Sequence, residues 1–524
     1  MRCLCTDSLF RCNFTLVILL VLSVSIYIFV MVHIQMSTRF NPAVEIEPLD
    51  RIFNFNLSLD KLVHRTHKRY LSFMLDSSFV QRGLKKPSLR TKSLITRISH
   101  LSGGYLRIGG YAADLLVFSI MFQSPGDHYL KPDGGYCSFE QVMCHNSKHL
   151  RKFAMSADSW TDINLFTNQT GLKLIFNLNA LMRGDRRWNS SNAEFLMDIA
   201  YANQHEIDWE LGNEPNSYPF KFDAEVTPEE LAYDFGTLRQ LLNKYTIYKQ
   251  SLLIGPDITH PRPSKLGPAK YLEEFLVSKP EIDVVSWHHY YTGSNATVQD
   301  FLNVETLNSF QQSARIVNEI VRRQAPQKQI WLTESGSAYG GGVEGLSDKF
   351  ISSFLWMDRL GSAAKNNISV VVRQSLFHPF YSLLDEDTLF PNPDYWVSVL
   401  FKTFVGQGVL NIDCLDENYD ETLRVYAHCG KGKRKNPVLF GLNISNHSQG
   451  IGLKLNTTGN FYSLTTPHLA SSVVHLNGKL LELVFFDQLP SFIPVKIVVN
   501  SKNPVPILPY SLFFLVLDIS VPVC

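Results

Sequence analysis

Eight short apolar segments recur along the middle of this 524-residue chain, and they constrain its fold more than any other feature. Each segment is apolar or alternating and is bounded by turn residues, as expected of a β-strand. The segments are residues 70–76, 105–109, 172–179, 208–214, 251–257, 283–291, 329–335 and 369–377. Stretches with helical periodicity, such as 229–243 and 306–323, separate them. Eight strands that alternate with helices predict a (β/α)8 TIM barrel of the α/β class.

Each predicted strand carries a polar residue at or near its end. In a TIM barrel these positions meet at the carboxyl-terminal face, where the active sites of this fold lie. The eight residues are Asp76, Arg107, Asn179, Glu214, Asp257, His288, Glu334 and Gln374. The sequence therefore predicts a polar site at one mouth of the barrel.

The pattern changes after the barrel. From about residue 396 to the end, alternating strands follow one another without a helical pattern, which indicates a C-terminal β-sandwich. We expect an N-terminal strand within residues 41–69 to complete that sandwich. The predicted domains are an N-terminal segment 1–36, the strand region 41–69, the catalytic barrel 70–395 with a surface insertion at 119–159, and the sandwich 396–524.

The N-terminal segment predicts insertion into a membrane. Residues 15–34 contain no acidic residue, lysine or arginine, and Arg2 and Arg11 precede them. The run approaches the roughly 20 residues of a membrane span and lacks the small-residue cleavage motif of a signal peptide. We predict an uncleaved type II signal anchor in preference to a removed signal. In both cases the bulk of the chain is extracellular or lies in a lumen, such as that of the lysosome.

Sequons and cysteines fit that location. Eight Asn-x-Ser/Thr sequons follow the predicted span, at Asn56, Asn168, Asn189, Asn295, Asn367, Asn443, Asn446 and Asn456. An odd number of cysteines also follows it, so at least one thiol is free or pairs with another chain. These cysteines are Cys137, Cys144, Cys414, Cys429 and Cys524.

The overall charge argues against one class of partner. The chain has 49 lysines and arginines against 48 acidic residues, so it has no basic field that would attract nucleic acid. Affinity for an acidic polymer must come from local patches. The sequence Lys-Gly-Lys-Arg-Lys at 431–435 is one such patch, and it is either a solvated turn or an exosite for an acidic polysaccharide.

Two glutamates carry the chemistry that the sequence predicts. Glu214 lies in an Asn-Glu-Pro motif at the end of the fourth predicted strand, and Glu334 ends the seventh. Retaining glycosidases use two carboxyl groups about 5 to 5.5 Å apart, one to protonate the leaving oxygen and one to attack the anomeric carbon. We predict Glu214 as the proton donor and Glu334 as the nucleophile. Because like charges oppose double ionisation, we expect a raised pKa for Glu214.

Neighbouring residues support this interpretation. Asn213 is placed to bind the 2-hydroxyl of a sugar, and Tyr290 is placed to donate a hydrogen bond to Glu334. His288 and His289 are adjacent, but the sequence shows no further ligands at the fixed spacing of a metal site. We therefore assign no metal and no organic cofactor.

These motifs resemble those of the heparanases, a family of barrel-plus-sandwich endo-β-glucuronidases. The resemblance extends from about residue 70 to 524, and its motifs lie at 105–110, 209–217, 287–291, 337–342 and 393–396. It implies the same roles for Glu214 and Glu334, and a disulfide between Cys429 and Cys524. It also implies substrate contacts for Asp76, Asn213, Arg262, Tyr290, Tyr339, Gly340, Gly341 and Gln374.

The resemblance implies a retaining enzyme that cleaves internal glucuronide bonds of heparan sulfate, the glycosaminoglycan of extracellular-matrix proteoglycans. Two departures concern that substrate. Tyr111-Ala112 stands where heparanases carry a basic residue, and Asn295 stands where they carry arginine. Both weaken recognition of sulfate, so cleavage of hyaluronan, as by the related leech hyaluronoglucuronidase, is the alternative. A non-catalytic heparan sulfate-binding protein, like the second, inactive heparanase, is a third hypothesis, although Glu334 and Tyr339 are both present.

Overall fold

A closed barrel of eight parallel strands forms the centre of the molecule. The computed structural model describes residues 49–81, 89–119, 152–377, 380–432 and 435–524. An N-terminal strand, β1 (Arg51–Arg65), comes first. The barrel strands follow as β2 (Leu71–Asp76), β3 (Tyr105–Gly109), β4 (Lys173–Leu178), β5 (Ile207–Leu211), β6 (Leu253–Ile258), β7 (Val284–Gly293), β8 (Gln329–Tyr339) and β9 (Ile368–Arg373). All eight coincide with segments predicted from the sequence.

Within the described ranges, eight helices of more than ten residues alternate with the barrel strands. They are α1 (Leu89–Ser102), α2 (Ala157–Thr170), α3 (Ser191–Ala202), α4 (Pro228–Leu242), α5 (Gly267–Val277), α6 (Val304–Gln324), α7 (Ser352–Lys365) and α8 (Pro393–Phe404). Shorter helices are Ser78–Gln81, Tyr218–Lys221 and Val298–Phe301, with 3-10 turns at Tyr111–Leu115, Pro215–Ser217, Thr246–Tyr248 and Phe485–Asp487. Two small ribbons pair Leu116–Ser119 with Phe153–Ser156 and Arg183–Gly184 with Arg187–Trp188. The predicted (β/α)8 barrel is confirmed.

The two faces of the barrel strands bury different sets of side chains, because successive residues of a strand point to opposite faces. One face of each strand packs against the helices in the large core of the molecule. The opposite face fills the barrel interior with a smaller cluster: Met74, Tyr105, Ile175, Ile254, Val284, Trp331, Val370 and Val372. Two residues after Tyr105 the side chain of Arg107 is also fully buried, and polar residues begin at this level.

The C-terminal part of the chain forms one large sheet with β1. Its strands are β10 (Val405–Cys414), β11 (Leu423–Gly430), β12 (Pro437–Asn443), β13 (Gln449–Leu453), β14 (Thr457–Thr465), β15 (Val495–Val499), β16 (Val505–Ile507) and β17 (Ser511–Leu517), with short pairs at His475–Leu476 and Lys479–Leu480. The order through the middle is β14-β17-β12-β11-β10-β1-β13-β16. Strand β1 pairs antiparallel with β10 and parallel with β13, as predicted for an N-terminal strand.

The sheet begins later than the sequence predicts. Residue 396, the predicted boundary, lies inside α8, and the first strand of the sheet starts at Val405. The helix was missed because nearly all of it is buried, from Pro393 through Lys402. Its residues 395–401 are mainly aromatic residues, valine and leucine, and a short apolar run of this kind is equally typical of a buried strand.

Helix α7 joins the barrel to the sheet. The Asp358 carboxylate accepts a hydrogen bond from Tyr291 of the barrel at 2.7 Å, and from Tyr426 of the sheet. Arg424 of the sheet also reaches Asp358, at 3.3 Å. Because Asp358 is fully buried, these partners supply the hydrogen bonds and charge that it would otherwise lose on leaving water. The Asp358 carboxylate is therefore one direct link between the barrel and the sheet.

A disulfide joins Cys429 to Cys524, the pair that the resemblance implies, and Cys414 is a free thiol. The predicted partners Cys137 and Cys144, the predicted span at 15–34 and most of the insertion at 119–159 lie outside the described residues. Among the residues that the structure describes, none of the helices combines the length and apolar character of a membrane span.

Seven of the eight sequon asparagines are exposed, and Asn443 is the exception. Asn443 is fully buried, and its Nδ2 atom donates to the carbonyl oxygen of His447 at 2.8 Å and to that of Leu508 at 3.0 Å. A glycan would be attached to this same nitrogen. The predicted glycosylation of Asn443 is therefore contradicted by the fold.

We predict opposite effects of alanine at two helical glycines. A Cβ atom at Gly361 of α7 would lie 2.1 Å from the Tyr426 ring, whereas one at Gly236 of α4 would have no neighbour within 4 Å. Gly361→Ala is expected to destabilise the protein by about 1 to 3 kcal/mol through overpacking. Gly236→Ala is expected to stabilise it by about 0.5 to 1 kcal/mol through higher helix propensity.

Thermal unfolding of both variants and the wild type, followed by circular dichroism in one buffer, measures this contrast. Equal melting temperatures for the two variants would show that α7 does not pack against the sheet as closely as the structure has it.

Candidate active site

The two predicted catalytic glutamates meet at one mouth of the barrel. One carboxylate oxygen of Glu214, one of Glu334 and one ring nitrogen of His288 all lie within 4.8 Å of one another. The side chains of Glu214 and Glu334 are 13% and 10% exposed, so both are accessible from the cleft although they are largely enclosed. Glu214 follows β5, whereas His288 and Glu334 lie within β7 and β8.

Glu214 has an unusual backbone conformation. Its φ of 54° and ψ of 56° are left-handed, and Pro215 follows directly. A residue before proline is disfavoured in the right-handed helical region, and a left-handed conformation is itself costly for a residue with a side chain. A hydrogen bond from the Glu214 N–H to the Asp257 carbonyl at 3.0 Å holds the turn. Such strain is typical of functional positions.

Both oxygens of Glu214 have cationic or imidazole partners. Lys221 Nζ forms an ion pair with Oε2, and His288 Nδ1 lies 3.0 Å from Oε1. Burial alone would raise the pKa of Glu214, but Lys221 and His288 outweigh it and lower the pKa well below the usual range. The raised pKa that we predicted for Glu214 is therefore wrong. The prediction considered only the charge of Glu334, because the sequence does not show that Lys221 folds back onto this carboxylate.

Glu334 is held by two donors. Tyr290 donates to Oε1 at 2.8 Å, which is the hydrogen bond predicted from the sequence, and Arg107 Nη1 donates to Oε2 at 3.0 Å. Both donors are buried and rigidly placed, Tyr290 on β7 and Arg107 on β3. The carboxylate therefore has a fixed orientation toward the cleft.

Arg107 is the centre of the polar network below the cleft. Its fully buried guanidinium contacts Glu210 at 2.7 Å, Asp257 at 2.9 Å and Glu334 at 3.0 Å. It also donates to the side-chain oxygen of Asn213 at 3.0 Å. A guanidinium presents five donors in a planar fork, so a single residue can serve all four acceptors.

The buried groups around Arg107 divide into charged and neutral members. Burial alone would raise the pKa of Asp257, but Arg107 and His288 lower it well below its usual value. Burial raises the pKa of Glu210 to about 8 against the opposing effect of Arg107. Burial alone would lower the pKa of His288, but Glu334, Asp257 and Glu214 raise it to about 9. At neutral pH the network thus contains Arg107 and a protonated His288, while burial opposes the ionisation of Glu210.

The remaining predicted contact residues are distributed around the same mouth. Asp76 ends β2, and burial raises its pKa to about 6. Gly110 has a φ of 87°, and a Cβ atom there would lie 2.4 Å from the Asp76 carboxylate, so only glycine fits. Gln374 follows β9 and donates to Tyr381 at 3.2 Å. Tyr339, which is 53% exposed, ends β8 on the rim.

Four predicted residues are less directly connected to the glutamates. Gly340 and Gly341 continue the rim after β8 in a turn with φ values of 82° and 99°. Arg262 lies beyond β6, where it is exposed and contacts the His260 ring. Asn179, which we expected at the mouth, donates instead to the Leu116 carbonyl at 3.0 Å.

Sequence reasoning missed Glu210, Asp114 and Lys221. Glu210 had a signal in the sequence, since it is a charged residue in a strand that is buried on both faces. Asp114 accepts from the Asn213 N–H at 2.9 Å and from Tyr218 at 2.8 Å, and so positions the Asn-Glu-Pro turn. Lys221 had no signal, because its approach to Glu214 depends on the tight path of the helix Tyr218–Lys221.

Glu214, His288 and Glu334 could together bind a cation, but their present partners argue against it. Lys221 and Arg107 already neutralise the two carboxylates, and His288 carries its own proton at neutral pH. A divalent cation would have to displace these positive groups from a buried site. We assign no metal here.

A TIM barrel with two carboxyl groups facing each other at its carboxyl-terminal mouth is the arrangement of a glycosidase. Among solved structures, the fold is similar to a 4-O-α-L-rhamnosyl-β-D-glucuronidase from Fusarium oxysporum, with a TM-score of 0.65, 13% identity, and coverage of 88% of this chain and 100% of that one. The protein is a glycoside hydrolase.

Sequence comparison identifies the family. The model of glycosyl hydrolase family 79, N-terminal domain, matches residues 76–361. The chain is 32% identical to heparanase of Gallus gallus over 504 residues, which cover 89% of this chain and 95% of the relative. It is 29% identical to hyaluronoglucuronidase of Hirudo nipponia over 470 residues, which cover 83% and 91%. The chain belongs to glycosyl hydrolase family 79 and is of the heparanase type.

We predict that Arg107→Met destabilises the protein in a pH-dependent way. The variant leaves buried carboxylates without their cation, and breaking a buried ion pair in this way costs about 3 to 5 kcal/mol. In the wild type, the lowered pKa of Asp257 means that its ionised form contributes stability above its unfolded pKa of about 3.9. Without Arg107, burial raises the pKa of these carboxyls, and stability is lost as the pH rises through the raised values.

The deficit in melting temperature relative to the wild type should therefore widen from about pH 5 to about pH 8. Arg186→Met is the matched control, because Arg186 pairs with Glu230 on the surface, and the change there should be small at each pH. A deficit for Arg107→Met that does not change with pH would contradict the charge network.

Proposed function

We propose that this protein is a retaining endo-β-glucuronidase that cleaves internal glucuronide bonds of heparan sulfate. The observation that carries the proposal is the proximity of Glu214 and Glu334, whose nearest oxygens lie within 4.8 Å. Retaining enzymes place their carboxyl groups about 5 to 5.5 Å apart, whereas inverting enzymes need about 6.5 to 9.5 Å to admit a water molecule. The short spacing supports direct attack by a carboxylate.

The geometry supports Glu334 as the nucleophile. Tyr290 and Arg107 each hold one of its oxygens, so the carboxylate is oriented before substrate arrives. In the first step Glu334 attacks the anomeric carbon while Glu214 donates its proton to the glycosidic oxygen. In the second step Glu214 accepts a proton from water, and that water releases the sugar from Glu334.

The rim of the cleft supports a glucuronide as the sugar that is attacked. Gly340, Gly341 and Gly342 follow one another with positive φ values. Because glycine has no side chain, such a turn allows an anionic group to approach main-chain N–H groups closely. The carboxylate of glucuronic acid is the ligand that we propose for this turn. The heparanase of Gallus gallus is a relative at 32% identity, which favours heparan sulfate as the polymer.

Hyaluronan is the second candidate, and the position after the Gly-Gly turn favours it. Tyr111 stands there, and its ring stacks on Phe222 with centroids 5.3 Å apart. A stacked aromatic pair offers an apolar surface to a sugar and no charge to a sulfate group. The relative from Hirudo nipponia is a hyaluronoglucuronidase. The site residues that we propose are the same for both substrates.

A further prediction concerns where the protein acts. The apolar run at 15–34 and the exposed sequons other than Asn443 support a luminal, lysosomal or extracellular enzyme that is anchored by its N-terminus or secreted. A non-catalytic heparan sulfate-binding role is the third hypothesis. It is disfavoured because both glutamates and the donors that orient Glu334 are in place.

We predict that Glu334→Gln and Glu214→Gln each lower the release of reducing ends at least about a hundredfold, because each removes one of the two carboxyl functions. The purified luminal part is offered heparan sulfate and hyaluronan in parallel between pH 4 and 7. Glu281→Gln is the control, since Glu281 is exposed and precedes β7 at the far end of the barrel.

Cleavage of heparan sulfate by the wild type supports the main proposal, and cleavage of hyaluronan alone supports the second candidate. Tight binding of heparan sulfate with no new reducing ends from either polymer supports the third hypothesis. Full activity in either glutamine variant would overturn the assignment of the glutamates.

We predict that the first product has a β-configured reducing end. Retention follows from two displacements at the anomeric carbon, and inversion would require a water molecule between the carboxyl groups. Proton NMR of a defined oligosaccharide in the first minutes of reaction, before mutarotation, distinguishes the anomers. An α-anomer would exclude Glu334 as a nucleophile.

A further inference from the structure

Lys221 is the closest charged neighbour of Glu214 on the solvent side of the cleft. The chain leaves Glu214 through the turn Pro215–Ser217 and the helix Tyr218–Lys221, and this path returns Lys221 Nζ to Glu214 Oε2. The lysine side chain is 24% exposed, whereas that of His288, the partner of the other oxygen, is 1% exposed. Of the two partners, Lys221 is thus the one that a ligand can reach.

Two contacts of the Lys221 ammonium are with Glu214 and with the ring of Tyr111. The ring of Tyr111 lies below it, with Nζ 5.4 Å from the ring centroid, and Tyr111 in turn stacks on Phe222. A lysine has a flexible four-carbon chain and three donors without a fixed plane, so it can exchange one anionic partner for another. His288, by contrast, is fixed within a strand and is held between Glu214 and Asp257.

The groups that face Glu214 come from several elements. Besides Lys221 they are His288 and Tyr290 on β7, Glu334 on β8 and His260 beyond β6. Arg107 and Asp257 act one contact further away, through Glu334 and His288. Asp114 lies near Lys221 on the side of the Asn-Glu-Pro turn. Only Lys221 and His288 contact the Glu214 carboxylate directly in the described part of the chain.

This arrangement conflicts with the proposed role of Glu214 as a proton donor. A proton donor must carry a proton when the glycosidic bond breaks, and a cation on its carboxylate opposes protonation. The opposition to protonation is reduced if the substrate displaces Lys221, which leaves His288 in contact with Oε1 and frees Oε2. Glu214 protonates the oxygen of the leaving group, and Lys221 lies on the solvent side of Glu214, so we place the displacing group on the sugars of the leaving-group side.

We propose that Lys221 couples substrate recognition to catalysis: an anionic group on the leaving-group side of the substrate takes Lys221 away from Glu214, which then becomes protonated. This inference rests on the proposed function and names the chemistry of the leaving sugar. Glu214 takes up its proton from solvent and transfers it to the glycosidic oxygen as the bond to the anomeric carbon breaks. No other co-reactant is needed. Lys221 acts through Glu214 and is a positioning residue.

The displacing anion has two sources in glycosaminoglycans, a sulfate on the adjacent glucosamine or the carboxylate of a more distant uronic acid. Two tetrasaccharides distinguish them. They differ only in an N-sulfo or an N-acetyl group on the glucosamine that leaves, and both keep the distant carboxylate. If the wild type prefers the N-sulfo substrate, the sulfate is the group that displaces Lys221. If the two substrates react at equal rates, the displacing group is the carboxylate.

The test measures kcat/KM from pH 4 to 8 for wild type, Lys221→Met and Lys221→Arg. If Lys221 is taken over by sulfate, the wild type should prefer the N-sulfo substrate about tenfold or more, and Lys221→Met should reduce that preference to about twofold or less. The kcat/KM of a glycosidase falls at alkaline pH when its proton donor loses its proton. In Lys221→Met this fall should move to higher pH for the N-acetyl substrate, because the pKa of Glu214 rises when the cation is removed. Lys221→Arg should retain most of the preference.

Lys270→Met is the control for loss of a lysine, since Lys270 is exposed and pairs with Glu274 on α5. If the distant carboxylate is the anion, a substrate reduced at that carboxyl should react more slowly in the wild type but not in Lys221→Met. The wild type could be active while Lys221→Met changes neither the alkaline side of the kcat/KM profile nor the substrate preference. That result would overturn the role of Lys221 and leave the proposed function standing. A wild type that cleaves neither tetrasaccharide nor polymer would overturn the proposed function as well.

Discussion

The buried guanidinium of Arg107 is the interaction on which the rest of the site depends. It lies directly above the apolar filling of the barrel and contacts Glu210, Asp257 and Glu334 within 3.0 Å. Without a cation at this level, three carboxyl groups could not share one dry cavity, because each would lose its hydration without compensation. Arg107 therefore allows Glu334 to face the cleft as an oriented carboxylate. Its contacts also link four strands of the barrel.

Much of the fold was predictable because parallel strands buried on both faces leave a strong pattern. Short apolar runs bounded by turns located all eight barrel strands, and their polar ends identified Glu214, Glu334, Asp257 and His288. The contacts among these residues were not predictable to the same degree. Tyr290 was assigned correctly because it lies on the strand beside Glu334, with a known alternation of faces. Lys221 was missed because no periodicity describes a short turn and a four-residue helix.

The incorrect predictions share a physical cause, since each treated a local pattern without its tertiary surroundings. Residue 396 was read as the start of the sheet because the buried apolar run at 395–401 is as typical of a strand as of a helix. The sequon at Asn443 is intact in sequence, but the fold uses its amide nitrogen to satisfy buried carbonyl groups. For Glu214, the sign of the pKa shift depended on a lysine that becomes a neighbour only in the folded chain.

Glu214, Glu334 and Asp257 are each already paired with a cationic group, and this constrains how an acidic polymer can bind. Arg107 forms ion pairs with Glu334 and Asp257. Protonated His288 and Lys221 pair with Glu214. The chain as a whole is also nearly neutral, with a formal charge of +1. Attraction at long range is therefore weak, and an anionic group that reaches these cations binds by exchange with a carboxylate already in place. When Lys221 exchanges Glu214 for an anion of the substrate, the protonation of Glu214 changes. The same exchange at Arg107 would disrupt the barrel interior. The cleft can thus respond to substrate charge at its accessible edge while its buried layer stays fixed.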